Sequence, residues 1–388
     1  MVTVTDTDTP VGGEDWEVVM AMLPEGWRDW AGESGALRRC RNFADASILL
    51  RVLMIHLVDG CSLRETAVRA SQGKLAKVSD VALMKRLKTS GEWFRRIAGG
   101  LMRQYVSQQP EALFPGLHIR LIDGSSISEP GATGSTWRLH YSVSLPALQC
   151  DEVHVTEPAV GESFKRFKVA PGDLLIGDRG YAHRAGIRHV VEQGGHVLVR
   201  LNLDNVPLET AQGERFDILA RLRSLTACER GDWPVWIRDK QGRIAARLCA
   251  IRKSAQAAER AREKLRREAA RQKRQIKPET LEGAGYICVF TTLPVTVLTT
   301  AVLEMYRGRW QIELAFKRLK SLLDIGHLKK TDMEGAKAWL QGKLMVAFLI
   351  DALIVAGERF SPWGYPIASV AALVPVPVAR NLADAPFA

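Results

Sequence analysis

The spacing of apolar residues predicts helices in the first part of the chain. After a Thr- and Asp-rich start, apolar positions follow a helical period as far as residues 114–116. Ser62 and Glu65 have the spacing of a capping box, in which each side chain binds a free amide at the helix start. Ser79 begins a second amphipathic helix. The pattern therefore predicts two short capped helices in succession.

Two capped helices joined by a short loop suit a helix-turn-helix motif. The loop would lie at residues 72–74, and Lys85, Arg86 and Lys88 would contact DNA phosphates. A small helical bundle without DNA contacts explains the same pattern. The spacing alone favours neither interpretation.

After residue 116 the pattern changes to the alternation of β-strands. The segment LHIRLID ends at Asp123, and the short apolar segment LLI is followed by a loop that contains Asp178. WRLHYSVSL, DEVHVTE and HVLVRL are further predicted strands, and a helix is predicted at residues 182–192. Together they predict a mixed sheet with crossover helices, in which two strands end at an aspartate.

The remaining pattern is strand-rich and then helical. Short strand-like segments, including WPVWIRD and IAARLCAIR, lie between residues 202 and 286. An Ala-, Arg-, Glu- and Lys-rich stretch at residues 254–275 predicts a surface helix, and YICVFTTL predicts one more strand. A long helical region is predicted at residues 297–360. The chain is therefore predicted to be an α/β protein.

The charge of the chain indicates a polyanionic partner. The formal net charge is +11, and residues 252–277 alone contain eleven Lys and Arg against three Glu. Most of the excess charge thus lies on one predicted helix. A solvated helical face is the plain explanation, and phosphate binding is the functional one.

Membrane insertion and zinc binding find no support in the sequence. The longest apolar run, residues 344–356, is interrupted by Asp351 and is shorter than the roughly 20 residues that cross a bilayer. No secretory signal is visible at the start, so we expect a cytoplasmic protein. The six cysteines are scattered without metal-ligand spacing, which predicts reduced thiols.

The segment YRGRWQIELAFKRLK concentrates polar chemistry on one predicted helix face. At about 100° per residue, four polar side chains lie within roughly 40° of Glu313 along the helix. These four are Tyr306, Arg309, Lys317 and Lys320. A carboxylate surrounded by such groups can accept a metal ion and a phosphate together.

Three separated acids suit metal-dependent phosphoryl transfer. Hard oxygen ligands hold two magnesium ions about 4 Å apart, one beside the nucleophile and one beside the leaving oxygen. Asp123, Asp178 and Glu313 are the candidates. Taken singly, the aspartates would be ordinary turn residues and Glu313 a surface ion-pair partner.

Other polar residues near the predicted sheet are weaker candidates. Asp151, Glu152 and Asp173 do not end an apolar strand. His118 and His140 could line a cleft, but a structural role is the plainer interpretation.

In order and spacing, the three acids resemble those of the DDE transposases of bacterial insertion sequences. Asp123 lies in IDGSSI and Asp178 in IGDRGY. Tyr306, Arg309, Glu313 and Lys320 match the Tyr-x2-Arg-x3-Glu-x6-Lys signature of the branch called insertion sequence family four. The resemblance covers residues 117–328, and it is specific because several independent positions agree.

The resemblance implies a fold and roles for individual residues. It implies a ribonuclease H-like mixed-sheet core, interrupted by a mainly β insertion and preceded by an α-helical domain. Asp123, Asp178 and Glu313 would bind two Mg²⁺ ions, with Mn²⁺ as a substitute. Tyr306, Arg309, Lys317 and Lys320 would contact DNA phosphates. Trp233 and Trp236 are candidates for supporting a flipped base, and packing within the sheet is the alternative for both.

The predicted domains follow from these assignments. Residues 1–115 form a helical DNA-binding domain, residues 116–203 and 285–350 the two parts of the catalytic core, residues 204–284 the insertion with its basic helix, and residues 351–388 a tail.

The predicted function is DNA transposition by strand cleavage and strand transfer at terminal inverted repeats. The partners would be the double-stranded DNA of the element ends and target, and a second copy of the chain in the synaptic complex. Because the substrate is DNA, we expect the protein to act at the nucleoid in the bacterial cytoplasm. A nuclease without joining activity and a catalytically idle DNA-binding repressor are the alternatives.

Overall fold

The computed structural model divides the chain into two compact units. The first combines residues 1–109, 127–135 and 319–369, and the second combines residues 110–126, 136–318 and 370–388. The structure describes residues 13–40, 42–106, 114, 116–128, 137–145, 148–201, 203, 206–226, 229–322 and 332–359.

Among the described residues, a run of helices comes first, strands and helices are mixed in the middle, and the last elements are helices. The helices of the described residues are α1 (Gly13–Met22), α2 (Trp27–Glu33), α3 (Ala46–Val58), α4 (Leu63–Gln72), α5 (Asp80–Thr89), α6 (Gly91–Val106), α7 (Arg184–Glu192), α8 (Ile218–Arg223), α9 (Ala255–Arg271), α10 (Pro278–Gly283), α11 (Thr299–Arg307), α12 (Trp310–Leu322) and α13 (Met333–Arg359). The strands are β1 (His118–Ile127), β2 (Trp137–Ser144), β3 (Gln149–Thr156), β4 (Asp173–Gly177), β5 (His196–Arg200), β6 (Leu208–Glu209), β7 (Arg230–Asp239), β8 (Gly242–Arg252) and β9 (Tyr286–Thr291).

The first unit is helical, and α13 lies at its centre. This helix packs against α3, α5 and α6. Its Gly342 lies so close to Leu57 that an added Cβ would come within 2.7 Å of the leucine side chain. Trp93 and Trp339 are fully buried. The apolar run predicted as a buried helix is therefore part of a core formed with the N-terminal helices.

The predicted domain division assigns α13 partly to the catalytic core and partly to a tail. That division stays a prediction, since a compact contact unit need not coincide with a functional domain. Within the described residues, no helix is long and apolar enough to cross a membrane.

The two predicted capped helices are α4 and α5. Ser62 Oγ accepts the N–H of Glu65 at 3.1 Å, and Ser79 Oγ accepts that of Ala82 at 3.2 Å. The capping box is incomplete, because the carboxylate of Glu65 binds Arg69 at 2.9 Å. The ion pair with Arg69, one turn away, thus replaces the hydrogen bond that Glu65 would make to the backbone N–H of Ser62.

Two of the three cations proposed to contact DNA on α5 have partners in the protein. Arg86 donates to the carbonyl of Ala36 at 3.0 Å, and Lys88 forms an ion pair with Asp332 at 2.9 Å. Lys85 is exposed. DNA contact by α4 and α5 stays a prediction, and these two cations would have to exchange their present partners for phosphates.

The second unit is built on one mixed sheet of nine strands. The strand order is β3-β2-β1-β4-β5-β9-β8-β7-β6. β1, β4 and β5 are mutually parallel neighbours, whereas β9, β8, β7 and β6 continue the sheet in antiparallel pairs. The predicted mixed α/β fold is confirmed at this level.

Most predicted strands form within a few residues of their predicted bounds. β1 is the main difference, because it was predicted to end at Asp123 and continues to Ile127. The strand continues through Ser125 and Ser126 to Ile127, a β-branched and fully buried residue, where a turn was predicted. Asp123 therefore lies inside a strand rather than after it.

Candidate active site

Asp123 and Asp178 lie side by side on the two central parallel strands. Leu121 of β1 is opposite Ile176 of β4, and each aspartate follows that pair by two residues. Asp123 Oδ1 accepts the N–H of Gly124 at 2.8 Å, and Asp178 Oδ1 accepts the N–H of Gly180 at 2.7 Å. The carboxyl edge of the parallel strands thus brings together two of the predicted site residues.

Asp123 lies where ionisation is unfavourable without a cation. Burial raises the pKa of its carboxyl to about 7. The N–H of Gly124 and the guanidinium of Arg309 oppose this shift, while Asp178 and Glu162 add to it. A carboxyl in this state gains most from a positively charged ligand, because the ligand removes the cost of its charge.

Arg309 lies between Asp123 and Glu313. Its Nη1 is 3.8 Å from Asp123 Oδ2, and its Nη2 is 2.6 Å from Glu313 Oε1. The Arg309 side chain is only 11% exposed. One buried guanidinium therefore connects the third predicted acid to the first.

The continuous helix predicted through Tyr306 and Lys320 is wrong. α11 ends at Arg307 and α12 begins at Trp310. The N–H of Arg309 donates to the carbonyl of Tyr306 at 3.1 Å, a tighter turn than an α-helix makes. Gly308 explains the break, because glycine is a poor helix former.

The other residues of the signature differ in exposure. Tyr306 is 3% exposed on α11, and burial raises the pKa of its hydroxyl. Lys317 and Lys320 are exposed on α12. The tyrosine is thus fixed in the protein interior, while the two lysines face solvent.

Glu162 is an acidic residue near the aspartates that the sequence interpretation missed. A methyl group added at Gly124 would lie 2.8 Å from Glu162 Oε1, and one added at Gly180 would overlap Glu162 Oε2. The carboxylate of Glu162 therefore lies between the backbone next to Asp123 and the loop after Asp178. No sequence signal marks it, because it precedes β4 in an irregular segment.

A group of basic residues lies along the same edge of the sheet. Arg179 follows β4, Arg200 ends β5, and Lys253 follows β8, with its N–H donating to Gly285 at 2.9 Å. We call Arg179, Arg200 and Lys253 the basic cluster. All three are partly buried. The strand order places their side chains at neighbouring positions although they are far apart in sequence.

The basic cluster has no counter-ion in the part of the chain that the structure describes. Its side chains form no ion pair or hydrogen bond there, and Nε of Arg179 is buried without a partner. Burial, together with the charges of Arg200 and Arg179, lowers the pKa of Lys253 to about 8. Burial also lowers the pKa of Arg200. Uncompensated positive charge in a desolvated place favours an anionic ligand.

The basic helix α9 is confirmed, and it is largely exposed. Glu259 pairs with Arg262 and Arg266, and Glu263 pairs with Arg267. Arg260, Lys264 and Arg271 are exposed and make no ion pair with the described residues. The helix therefore presents more positive charge than its own glutamates neutralise.

Trp233 and Trp236 lie three residues apart on β7, which turns them to opposite faces of the strand. Trp233 packs against Phe216, with ring centroids 6.4 Å apart, at the margin of the core. Trp236 packs under the guanidinium of Arg243 at 5.3 Å. Both side chains are partly buried.

The acids ranked lower as candidates bind a buried arginine. Arg120 contacts Asp151 at 2.7 Å, Glu152 at 2.8 Å and Asp173 at 3.2 Å. The pKa values of Glu152 and Asp173 are lowered, because hydrogen bonds and the positive charge of Arg120 outweigh their burial. These carboxylates are already neutralised, which indicates a structural role.

The two candidate histidines also have partners. His118 bonds Asp173 and Ser144, both at 2.9 Å. His140 bonds Thr156 at 2.9 Å, and burial lowers its pKa to about 4. Both contacts agree with the structural role that was the plainer interpretation.

The donor chemistry of the site fits a divalent ion such as magnesium. Its side-chain donors are carboxylate oxygens, which Mg²⁺ and Mn²⁺ prefer. Among the described residues, however, no three acidic, histidine or cysteine side chains already surround a common point suitable for a metal. Arg309 occupies Glu313, so that ion pair would have to open before Glu313 could join the aspartates.

Comparisons with known proteins identify the family of the chain. Residues 141–349 match the family model described as the transposase DDE domain. The chain is 35% identical to the transposase InsL of insertion sequence element IS186A from Escherichia coli strain K12, over 90% of this chain and 96% of that protein. It is equally similar to the transposase of element IS421 from Escherichia coli, over the same shares of both chains.

A more distant relative is the transposase of element IS231F from Bacillus thuringiensis subsp. israelensis. It is 29% identical over 47% of this chain and 42% of the relative. The family match and the named relatives identify a DNA-cleaving and DNA-transferring enzyme of the DDE class. Within that class, the chain belongs to the transposases of bacterial insertion sequences, in insertion sequence family four. Enzymes of this family generally use divalent metal ions.

Proposed function

We propose that this transposase binds two Mg²⁺ ions through Asp123, Asp178 and Glu313 and cleaves DNA at the ends of its insertion sequence. Bound ions of this kind activate the attacking oxygen and stabilise the leaving oxygen, and Mn²⁺ would substitute. One observation carries the proposal. Arg309 connects Asp123 to Glu313, and Asp178 directly follows β4, the parallel neighbour of the strand that contains Asp123.

Arg309 has two successive roles in this proposal. Before DNA binds, its guanidinium neutralises Glu313 and opposes the burial cost of Asp123. Once the carboxylates have bound cations, the guanidinium turns to a DNA phosphate, for which its planar fork of donors is suited. Arg309 thus holds the acids in place before DNA binds and does not stay paired with them during the reaction.

The DNA backbone follows the positive charge of the second unit. The basic cluster binds a phosphate beside the carboxylates, together with the hydroxyl of Tyr306, whose pKa responds to Arg200 and Arg179. Lys317 and Lys320 contact the strand near the acids, and α9 contacts phosphates farther along the duplex.

The reaction proceeds by in-line attack at phosphorus. Water first frees a 3′ hydroxyl at the element end, and that hydroxyl then attacks the opposite strand or target DNA. The site residues orient both nucleophiles at the same position. Trp233 or Trp236 would support a flipped base during this step by stacking, and the exposed fraction of each ring leaves a face for it.

The catalytic core is ribonuclease H-like in this proposal, and residues 204–284 are an insertion. The strand order β3-β2-β1-β4-β5, with β1, β4 and β5 parallel, supports the first part. The position of β6, β7 and β8 beyond β9 supports the second, since these strands extend an already formed sheet. Residues 1–115 would bind DNA as a separate domain.

Two copies of the chain would act together in a synaptic complex, because a transposition event requires both ends of the element. This would take place at the nucleoid in the bacterial cytoplasm, where the substrate DNA lies.

The test of the proposed function separates cleavage from binding. Asp178→Ala should abolish Mg²⁺-dependent cleavage of a duplex that carries the inverted repeats flanking the gene. It should leave the affinity for that duplex within about threefold of the parent, because phosphate contacts dominate binding. Glu279→Gln, an exposed acid on α10, serves as the matched control and should cleave normally. Cleavage by Asp178→Ala would refute the assignment.

Strand joining separates a transposase from a simple nuclease. A duplex with a pre-cut 3′ end should become covalently joined to a target plasmid in the presence of Mg²⁺. Cleavage without any joined product would support the nuclease alternative, and DNA binding without cleavage would support the repressor.

A further inference from the structure

Glu162 lies beside the two aspartates, and two glycines leave space for its side chain. Gly124 follows Asp123, Gly180 follows Asp178 by two residues, and both glycines lie against the carboxylate of Glu162. A Cβ at Gly180 would also lie 3.1 Å from Asp178 Oδ1. Any side chain at either glycine would therefore displace Glu162 from this position.

The carboxylate of Glu162 is only partly compensated, by the charge of Arg138, which lowers a pKa that burial and Asp178 raise. Its side chain makes no hydrogen bond or ion pair with the described residues, and only its backbone carbonyl accepts a bond, from His183 at 3.2 Å. By contrast, every carboxylate around Arg120 has an ion-pair partner. Placing a third negative charge beside two others is unfavourable unless something positive binds there.

Tyr181 provides a second, independent observation at the same place. Its side chain is fully buried against Phe164, with ring centroids 5.0 Å apart. Its hydroxyl is buried without a hydrogen-bond partner among the described residues. The Tyr181 side chain packs against Gly177, the residue before Asp178, since an added Cβ at Gly177 would come within 2.8 Å of it. A buried hydroxyl without a partner needs a polar ligand or its water molecules.

We propose that Glu162 is a fourth carboxylate of the divalent-metal site, placed between Asp123 and Asp178 by Gly124 and Gly180. The inference rests on the proposed function, since it concerns the same metal site. Glu162 adds a negative oxygen donor beside the two aspartates, and Tyr181, packed against the residue before Asp178, supplies a hydroxyl without a partner among the described residues. In this proposal the three carboxylates move together when a cation binds, because no three such side chains of the described residues already surround a common point.

The test measures metal binding without catalysis. Mn²⁺ is titrated into the full-length protein without DNA, and free Mn²⁺ is followed by its electron paramagnetic resonance signal. Glu162→Gln keeps the shape of the side chain and removes its charge. Its Mn²⁺ affinity should fall by about tenfold or more, the range typical for groups that support a metal site. The control Glu157→Gln, an exposed acid in the same loop, should bind like the parent.

Thermal unfolding in a chelator distinguishes this role from a structural one. If Glu162 is an incompletely compensated carboxylate that awaits a cation, Glu162→Gln should unfold at the same or a higher temperature than the parent. A lower unfolding temperature, or failure to fold, would overturn the proposal by assigning Glu162 to the fold itself. Mn²⁺ affinity within twofold of the parent would also overturn it.

Asp178→Asn in the same titration separates this inference from the proposed function. Loss of Mn²⁺ binding in Asp178→Asn but not in Glu162→Gln would refute only the role of Glu162. Unchanged binding in Asp178→Asn would refute the metal site itself.

Discussion

Two groups of acids lie on the same sheet and differ in what neutralises them. Around Arg120, three carboxylates share one buried guanidinium, and two of them have lowered pKa values. At the other end of the same two strands, Asp123, Asp178 and Glu162 lie together, and the pKa values of Asp123 and Glu162 are raised. In the first group every carboxylate has an ion pair with Arg120, whereas Arg309, 3.8 Å from Asp123, and Arg138 compensate the second group only in part.

This difference separates structural from functional acids better than residue type or burial does. Both groups lie near β1 and β4, and both are largely removed from solvent. Only the group that the protein's own cations compensate incompletely has a reason to bind a metal ion. The basic cluster lies on the same edge and has the opposite charge. Its cations have no counter-ion among the described residues, so we expect the cluster to bind phosphate.

Loss of Arg120 should have the largest effect on stability. Arg120→Met leaves three carboxylates without a counter-ion, so we expect the free energy of unfolding to fall by about 3–5 kcal/mol. Urea denaturation at neutral pH measures it. Arg223→Met, which removes the exposed partner of Glu282, is the control and should change stability little. Equal losses in the two variants would contradict the distinction between the two groups of acids.

Removal of the charge of Asp123 should instead raise the free energy of unfolding. Because the pKa of Asp123 is about 7 in the folded protein and near 3.8 in the unfolded chain, the folded state loses stability as pH rises through this window. In a chelator, Asp123→Asn should therefore be more stable than the parent at pH 8, by up to about 4 kcal/mol.

The pH dependence is the check on that expectation. Near pH 4 the carboxyl is largely protonated in the folded state, so the two proteins should unfold at similar urea concentrations. A stability difference between them that is the same at pH 4 and pH 8 would show that the charge of Asp123 is not its cause.

A smaller effect is expected in the basic cluster. Lys253→Met should reduce the affinity for the element-end duplex and lower the slope of log affinity against log salt by about 1, the value for one phosphate contact. Fluorescence anisotropy at several salt concentrations measures this slope. Arg215→Met, an exposed arginine of the same unit, is the control. An unchanged slope in Lys253→Met would exclude a phosphate contact at the cluster.

The sequence predicted the strands better than it predicted the site. β4, β5 and β9 are short apolar runs, and their burial from both faces follows from that pattern. Asp123 and Asp178 were found because each follows such a run. The predicted turn after Asp123 failed, since strand-forming residues beyond Gly124 outweighed the turn tendency of Asp-Gly.

The groups that the sequence could not predict are those assembled by tertiary structure. Arg179, Arg200 and Lys253 follow three different strands, and only the register of the sheet brings them together. Glu162 lies in an irregular segment without periodicity. The packing of α13 against α3, α5 and α6 was likewise not predicted, because an apolar helix does not specify which other helices it contacts.

Anomalous diffraction from the protein in complex with its element-end DNA and Mn²⁺ is the most direct test of the metal site. The account predicts anomalous peaks bound by Asp123 and Asp178, with Glu313 released from Arg309 and coordinating one of the ions. Peaks away from the aspartates, or a Glu313 that stays paired with Arg309 while DNA and Mn²⁺ are bound, would contradict it.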